Sequence, residues 1–269
     1  MTDIRVGVQV LPQHASYRAI RDQVRRCEDL GADAVFVWDH FFPPLPGDPD
    51  PDGQHLECWS LLAALAQCTE RVTIGSLVSC TAYRNPDLLA DIARTVDHIS
   101  GGRLMLGLGA GWFARDFDEY GYPYRDPRAR AADFAAAVDR IAGRPRSLNP
   151  PPLGRVPILV GGNSIRSILP VAAAHAQVWH SFSDPAALAR KLGVLQDLAV
   201  AAGRPGQVEA AVAVGRRHPR AEVAAGSPGQ VGEAFVRAGA SWLTVGIDTG
   251  PDGLDEVRGW LGWRDTRTP

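Results

Sequence analysis

Three short stretches hold residues whose types and spacing suit chemistry at the end of a buried strand. The first is 102–124, GRLMLGLGAGWFARDFDEYGYPY. Leu104, Met105, Leu106 and Leu108 are apolar on both faces of an extended segment, as a parallel strand covered on both sides requires. Gly107, Gly109 and Gly111 then remove every second side chain, so something flat or bulky can approach the backbone. Trp112 follows as a candidate pocket wall, and the acids Asp116, Asp118 and Glu119 come next. The second stretch is Asp39–His40, an acid beside a group that trades protons near neutral pH. The third is Gly161, Gly162, Asn163 and Ser164, two glycines at a strand-to-helix junction. Free backbone N–H groups and the positive end of a helix there favour a phosphate. The plain alternatives are a packing turn, a capped loop with a structural histidine, and a simple N-cap.

Those residues have to be positioned by something, and the chain supplies a regular alternation. Short apolar runs rich in β-branched residues occur at 5–10, 34–39, 72–78, 104–109, 157–161, 177–182, 208–214 and 242–247. Helical periodicity fills the intervals at 17–30, 57–68, 86–99, 127–142, 164–175, 185–202 and 228–238, with a short last helix at 253–261. Asn85, Asp184 and Ser227 each precede a proline, the pattern of a cap residue before the first helical position. Eight strands alternating with eight helices predict a (β/α)8 TIM barrel, a single domain over 1–269. An open doubly wound sheet is the runner-up, but no G-x-G-x-x-G follows the first strand. In a barrel the site is built just past the C-terminal ends of the strands. That places Gln9, Asp39, His40, Ser79, Cys80, Gly109, Gly111, Gly161–Ser164, His180, Ser181 and Asp248 around its mouth. His14 lies in a loop and is a further candidate pocket wall, as is His180 at the sixth exit.

The bulk properties narrow the function classes. The chain has 269 residues, 45% hydrophobic and 22% charged, with a formal net charge of −2, so it offers no basic footprint for nucleic acid or an anionic membrane. Cys27, Cys58, Cys68 and Cys80 form no C-x-x-C pair, and no histidine and carboxylate spacing resembles a metal site. His98, His175 and His218 read as ordinary helix or loop residues. Ser79 and Ser181 lack a G-x-S-x-G setting, which argues against a nucleophilic hydrolase. No run approaches a membrane span and the first residues lack the pattern of a secretory signal, so a cytoplasmic enzyme with reduced thiols and a small-molecule substrate is expected.

The segments ADAVFVWDHF (32–41), HLECWSLLAALAQCTERVTIGSLVSCTAYRNPDLLADIARTVDHISGGRLMLGLGAGW (55–112), DFDEYGYPY (116–124) and VPILVGGNS (156–164) resemble the bacterial luciferase-like superfamily, and within it the branch that uses the deazaflavin coenzyme F420. The resemblance covers most of the chain. It implies a luciferase-like barrel with F420, or alternatively FMN, across its C-terminal mouth, and an F420-dependent oxidoreductase that transfers a hydride, with an FMN-dependent monooxygenase as the alternative. It implies the cofactor phosphate at Gly161, Gly162, Asn163 and Ser164, a ring contact from Asp39, and proton handling by His40. A bulge with a non-proline cis peptide near Leu77 and Val78, beside Ser79, would back the ring, and a homodimer is common among relatives. Two departures stand out. Trp112 occupies the place where sugar-phosphate dehydrogenases of this branch carry an acid, and only 144–155 remains of the connection before the fifth strand.

Overall fold

A computed structural model describes residues 4–215 and 226–267. Nine parallel strands form one sheet in the order β3-β2-β1-β9-β8-β7-β6-β5-β4, and pairing of β3 with β5 closes it into a barrel. The strands are β1 (Arg5–Val10), β2 (Ala34–Val37), β3 (Thr73–Ser76), β4 (Ser79–Cys80), β5 (Leu104–Gly109), β6 (Ile158–Gly161), β7 (Val178–Ser181), β8 (Glu209–Val214) and β9 (Trp242–Ile247). The helices around them are α1 (Tyr17–Asp29), α2 (Cys58–Gln67), α3 (Pro86–Ser100), α4 (Ala114–Glu119), α5 (Pro127–Gly143), α6 (Leu169–His175), α7 (Pro185–Ala201), α8 (Pro228–Arg237) and α9 (Pro251–Asp265). This is the (β/α)8 barrel that the alternation predicts, with eight strand positions around the ring.

The predicted third strand divides into β3 and β4, which occupy one barrel position. Ile74 and Gly75 pair with Leu104 and Met105, whereas Ser79 and Cys80 pair with Leu108 and Gly109. Four steps on one strand therefore face three on the other, which is a one-residue bulge. It lies at Leu77–Val78, whose peptide is cis. Gln9 Nε2 donates to the Leu77 carbonyl, and Ser76 Oγ donates to the Gly107 carbonyl, so the bulge is tied on both sides.

The core has two layers. Helices pack on the outside of the barrel through residues such as Val8, Val35, Leu62, Leu106 and Trp179. Inside it, Ala34, Phe36, Leu77, Met105, Leu159, Val178, Ala211 and Trp242 form a separate cluster. The inner layer needs room for Phe36, and small residues face it. A Cβ added at Gly7 would sit 2.9 Å from Phe36 Cε2, and one at Gly75 3.2 Å from Phe36 Cδ1.

The caps read from sequence hold. The side chains of Asn85, Asp184 and Ser227 each accept from a first-turn amide, and Ser227 forms a capping box with Gln230. Three elements differ, one of them α9, which runs over Pro251–Asp265 where a short helix at 253–261 is expected. The helix predicted at 164–175 begins only at Leu169, because Ser164–Ile168 forms a turn closed by the Ile168 and Leu169 amides on the Ser164 carbonyl. The short α4 has no predicted counterpart, since six residues are too few for a periodicity to register.

Candidate active site

Past the C-terminal ends of the strands lies a cavity of about 250 Å3, just below the usual range for a ligand pocket. Its floor is the bulge, Leu77 and Val78, with Gln9 beneath, and its walls include Trp38, Trp112, Tyr83, Ile168 and Phe182. Asp39, His40, Gly109, Gly111, Gly161, Gly162 and Asn163 also line it.

His40 follows β2 and is flanked edge-on by Trp38, Trp112 and Phe113, with ring centres 5.6–5.7 Å away. Its Nδ1 lies 2.6 Å from Asp116 Oδ2. Asp116 has no exposed surface and also accepts from the Tyr83 hydroxyl at 2.9 Å and the Phe41 amide at 3.1 Å. With three donors on it, this carboxylate acts as an acceptor, so His40 carries its hydrogen on Nδ1. The Nε2 lone pair, which has no partner among the described residues, is left as the basic position of the ring. Burial and the neighbouring Cys80 and Asp116 push the Tyr83 hydroxyl far above its usual range, so it stays a donor.

Asp39 sits beside His40 in sequence but has a different employment. Its two oxygens accept from Arg84 at 2.6 and 3.1 Å, and Oδ2 also accepts the Cys80 amide at 3.2 Å. Arg84 continues to Glu57, the N-cap of α2. Burial raises the Asp39 carboxyl above its ordinary value despite the opposing pull of Arg84. Burial alone would lower Arg84, but Asp39 and Glu57 hold it above its ordinary value and therefore charged. The trio fastens the end of β2 to α2 and the segment after β4.

The glycines play a part that sequence reading assigned differently. The space they clear is taken by the protein itself. A Cβ at Gly109 would lie 2.5 Å from Val78 Cγ2, and one at Gly161 2.9 Å from Val78 Cγ1. At Gly111, where φ is +73°, it would lie 2.6 Å from Cys80 Sγ and 2.8 Å from Phe117 Cζ. The bulge thus fills the shelf, and any ring would rest on Val78 rather than on bare glycine backbone.

At the β6 exit Gly162 has φ +133°, and its amide donates to the His180 carbonyl. Asn163 Oδ1 accepts from Ser181 Oγ and the Phe182 amide, locking the turn to β7. The amides of Asn163, Ser164, Ile165 and Arg166 have no acceptor among the described residues.

Six of the residues predicted at the mouth or pocket do not line the cavity, Ser181 and Asp248 among them. His14 is drawn away by Asp48 Oδ1 at 2.8 Å, within the loop system before α2. His180 is fully buried inside the barrel, 2.7 Å from Thr244 Oγ1. The Ser79 hydroxyl accepts from Trp59 Nε1 at 3.0 Å behind the wall. The Ser164 hydroxyl turns to Ser167, leaving only its amide toward solvent. His218 lies outside the described residues. Sequence reading missed Tyr83, Arg84, Phe182 and the role of Asp116. The 113, 116, 117, 120 spacing of the last could have shown which acid of the run faces inward.

Comparison with known proteins agrees with the architecture. The profile of the luciferase-like monooxygenase family matches residues 1–238, and the chain belongs to that family. An F420-dependent glucose-6-phosphate dehydrogenase of Kribbella flavida is 31% identical over 140 residues, 51% of this chain and 40% of that protein. The chain therefore matches less than half the length of that curated relative. Among solved structures, an F420-dependent secondary alcohol dehydrogenase bound to an F420-acetone adduct superposes with a TM-score of 0.82 at 17% identity, over 97% of this chain and 98% of that one. EDTA monooxygenase from Chelativorans gives 0.76 at 14% identity, over 97% and 94%.

Proposed function

We propose that this member of the luciferase-like monooxygenase family is an F420-dependent oxidoreductase acting on a small organic substrate. The observation that carries the reading is the His40–Asp116 pair at the wall of the mouth cavity, beside a turn with four available amides. Those residues fit a flat cofactor with a phosphate. The amides of Asn163, Ser164, Ile165 and Arg166 suit an anion, and the Leu77–Val78 bulge offers an apolar surface for a ring. Bound F420 would supply hydride transfer at a ring carbon without the one-electron and oxygen chemistry of a flavin.

The protein's own contribution is positional and protic. Trp38, Trp112 and Phe182 give the cavity apolar walls, which would limit water around a bound substrate. His40 Nε2 takes a proton from a substrate hydroxyl, or returns one to a carbonyl, as the hydride moves. Asp116 keeps the ring in one orientation and offsets the positive charge that the imidazole gains. Asp39 acts through Arg84 on the shape of the wall, so its effect on a ring is indirect.

The turn would hold FMN as readily, so the decisive experiment is a titration with both cofactors. F420 should bind in the low-micromolar range (about −8 kcal/mol). Gly162→Val should abolish that binding, because the residue would have to adopt a strongly positive φ. Absence of F420 binding overturns the proposal. FMN binding with oxygen uptake by the reduced form would establish the monooxygenase reading instead.

A further inference from the structure

We propose that a second cavity, under the opposite end of the barrel between α3, α5 and α6, binds a small organic anion: a phosphate or carboxylate head on an apolar body. Its volume, about 340 Å3, exceeds that of the mouth cavity. It is lined at Val156 and Ile158, where β6 begins, whereas the mouth cavity is lined at Gly161–Asn163, where β6 ends. The two are therefore separate sites on opposite sides of the sheet's length.

Charge is the first argument. Arg94, Arg146, Arg155, Arg204 and His175 line the cavity, and no aspartate or glutamate does. Arg146 and Arg155 make no ion pair among the described residues, and Arg204 donates to the carbonyls of Ala173 and Ala176 rather than to a carboxylate. The nearby acids stand on the rim: Asp91, 44% exposed, pairs with Arg94, and Asp139, 81% exposed, lies 3.8 Å from His175. Burial lowers the Arg204 pKa and repulsion from Arg155 lowers it further.

Order is the second argument. Solvated surface arginines need no partner, but Arg94 Nε is buried with none, and both Nη atoms of Arg204 are fixed at 2.7 Å to main-chain oxygens. These guanidinium groups are held in place before any ligand arrives, which reduces the entropy lost on binding. Leu106, Ile141 and Leu148 add an apolar lining, so the site suits an amphipathic anion better than a bare one. The outer wall is the irregular connection after α5.

The test is calorimetric titration with phenyl phosphate, inorganic phosphate and phenol at fixed ionic strength, in the native protein and in Arg146→Glu/Arg155→Glu. Phenyl phosphate should bind more tightly than either fragment, and charge reversal should weaken it about tenfold or more. It should also raise the thermal midpoint of the native protein only. Both arginines are exposed, and Arg155→Gln alone serves if the double variant is unstable. The mouth turn also offers amides to phosphate, so binding untouched by charge reversal places the ligand there and overturns the proposal. Phenyl phosphate binding no tighter than phosphate, or weaker than about 1 mM, overturns it as well. F420 affinity, measured in the same variants, should not change; its loss in the variants alone overturns the separation of the two sites, whereas its absence in the native protein bears on the oxidoreductase reading alone.

Discussion

Asp116 holds three donors at once, from His40, Tyr83 and Phe41, and none of them is replaceable by water because the carboxylate has no exposed surface. Asp116→Asn keeps the volume but presents an amide N–H or a neutral oxygen to His40, so the ring loses both its orientation and its charge partner. Turnover should fall by about 10²-fold or more, with F420 affinity within about twofold of native; the split between kcat and binding is the measurement. A matching loss of cofactor affinity would make Asp116 merely structural. The neighbouring acid behaves differently. Asp39→Ala leaves Arg84, only 12% exposed, with Glu57 as its remaining partner. Urea denaturation should show a loss of about 1–3 kcal/mol, because Arg84 loses one of its two carboxylate partners and the buried Cys80 amide loses its acceptor. The two carboxylates could not be ranked from sequence. Both stand near His40 or the glycine run, but which one bonds the imidazole depends on where α4 is laid across the mouth.

The bulge between β3 and β4 is the element that converts a barrel into a site. Its extra residue pushes Val78 over Gly109 and Gly161, and glycine is required there because any Cβ would collide with the valine. Gly109→Ala should therefore cost about 1–3 kcal/mol and weaken cofactor binding by displacing the floor. Val78→Ala removes the colliding methyl, so the double variant should recover part of both losses; a double-mutant cycle with no coupling would refute the contact. Alternating glycines were readable as a signal of close approach, and the approach is real. The sequence was silent on what approaches, since Val78 and Gly109 are 31 residues apart and meet only through the β4–β5 register. The strands and most helices were legible to within one or two residues, because apolar period and cap chemistry are local. The start of α6 was not, because the Ser164 turn depends on its fit against β7.

At the scale of the whole molecule, loops before α2 are tied to the barrel through buried polar contacts, and these set a pH dependence. His55 Nε2 accepts from Trp38 Nε1 at 3.0 Å, and burial, with the charge of His40 adding to it, lowers its pKa to about 4. The unfolded chain binds a proton on this histidine near pH 6.5, whereas the folded one resists until about 4. Folding stability should thus fall as pH drops through that window, by up to about 3 kcal/mol from this residue, and be unaffected by it above pH 7. Denaturation at pH 7 and 4.5 should show a smaller difference in His55→Gln than in the native protein. The sequence by itself determined the closed alternating architecture, the caps, and the position of His40 and the Gly161–Gly162 turn at the mouth of the barrel, all of which follow from side-chain type and short-range spacing. Only the tertiary structure decided that Asp116 rather than Asp39 serves His40, that His14 and His180 are drawn elsewhere, and that a second, arginine-lined cavity lies beneath. Those outcomes hinge on hydrogen bonds and burial between segments far apart in the chain, where competing partners are settled by distance.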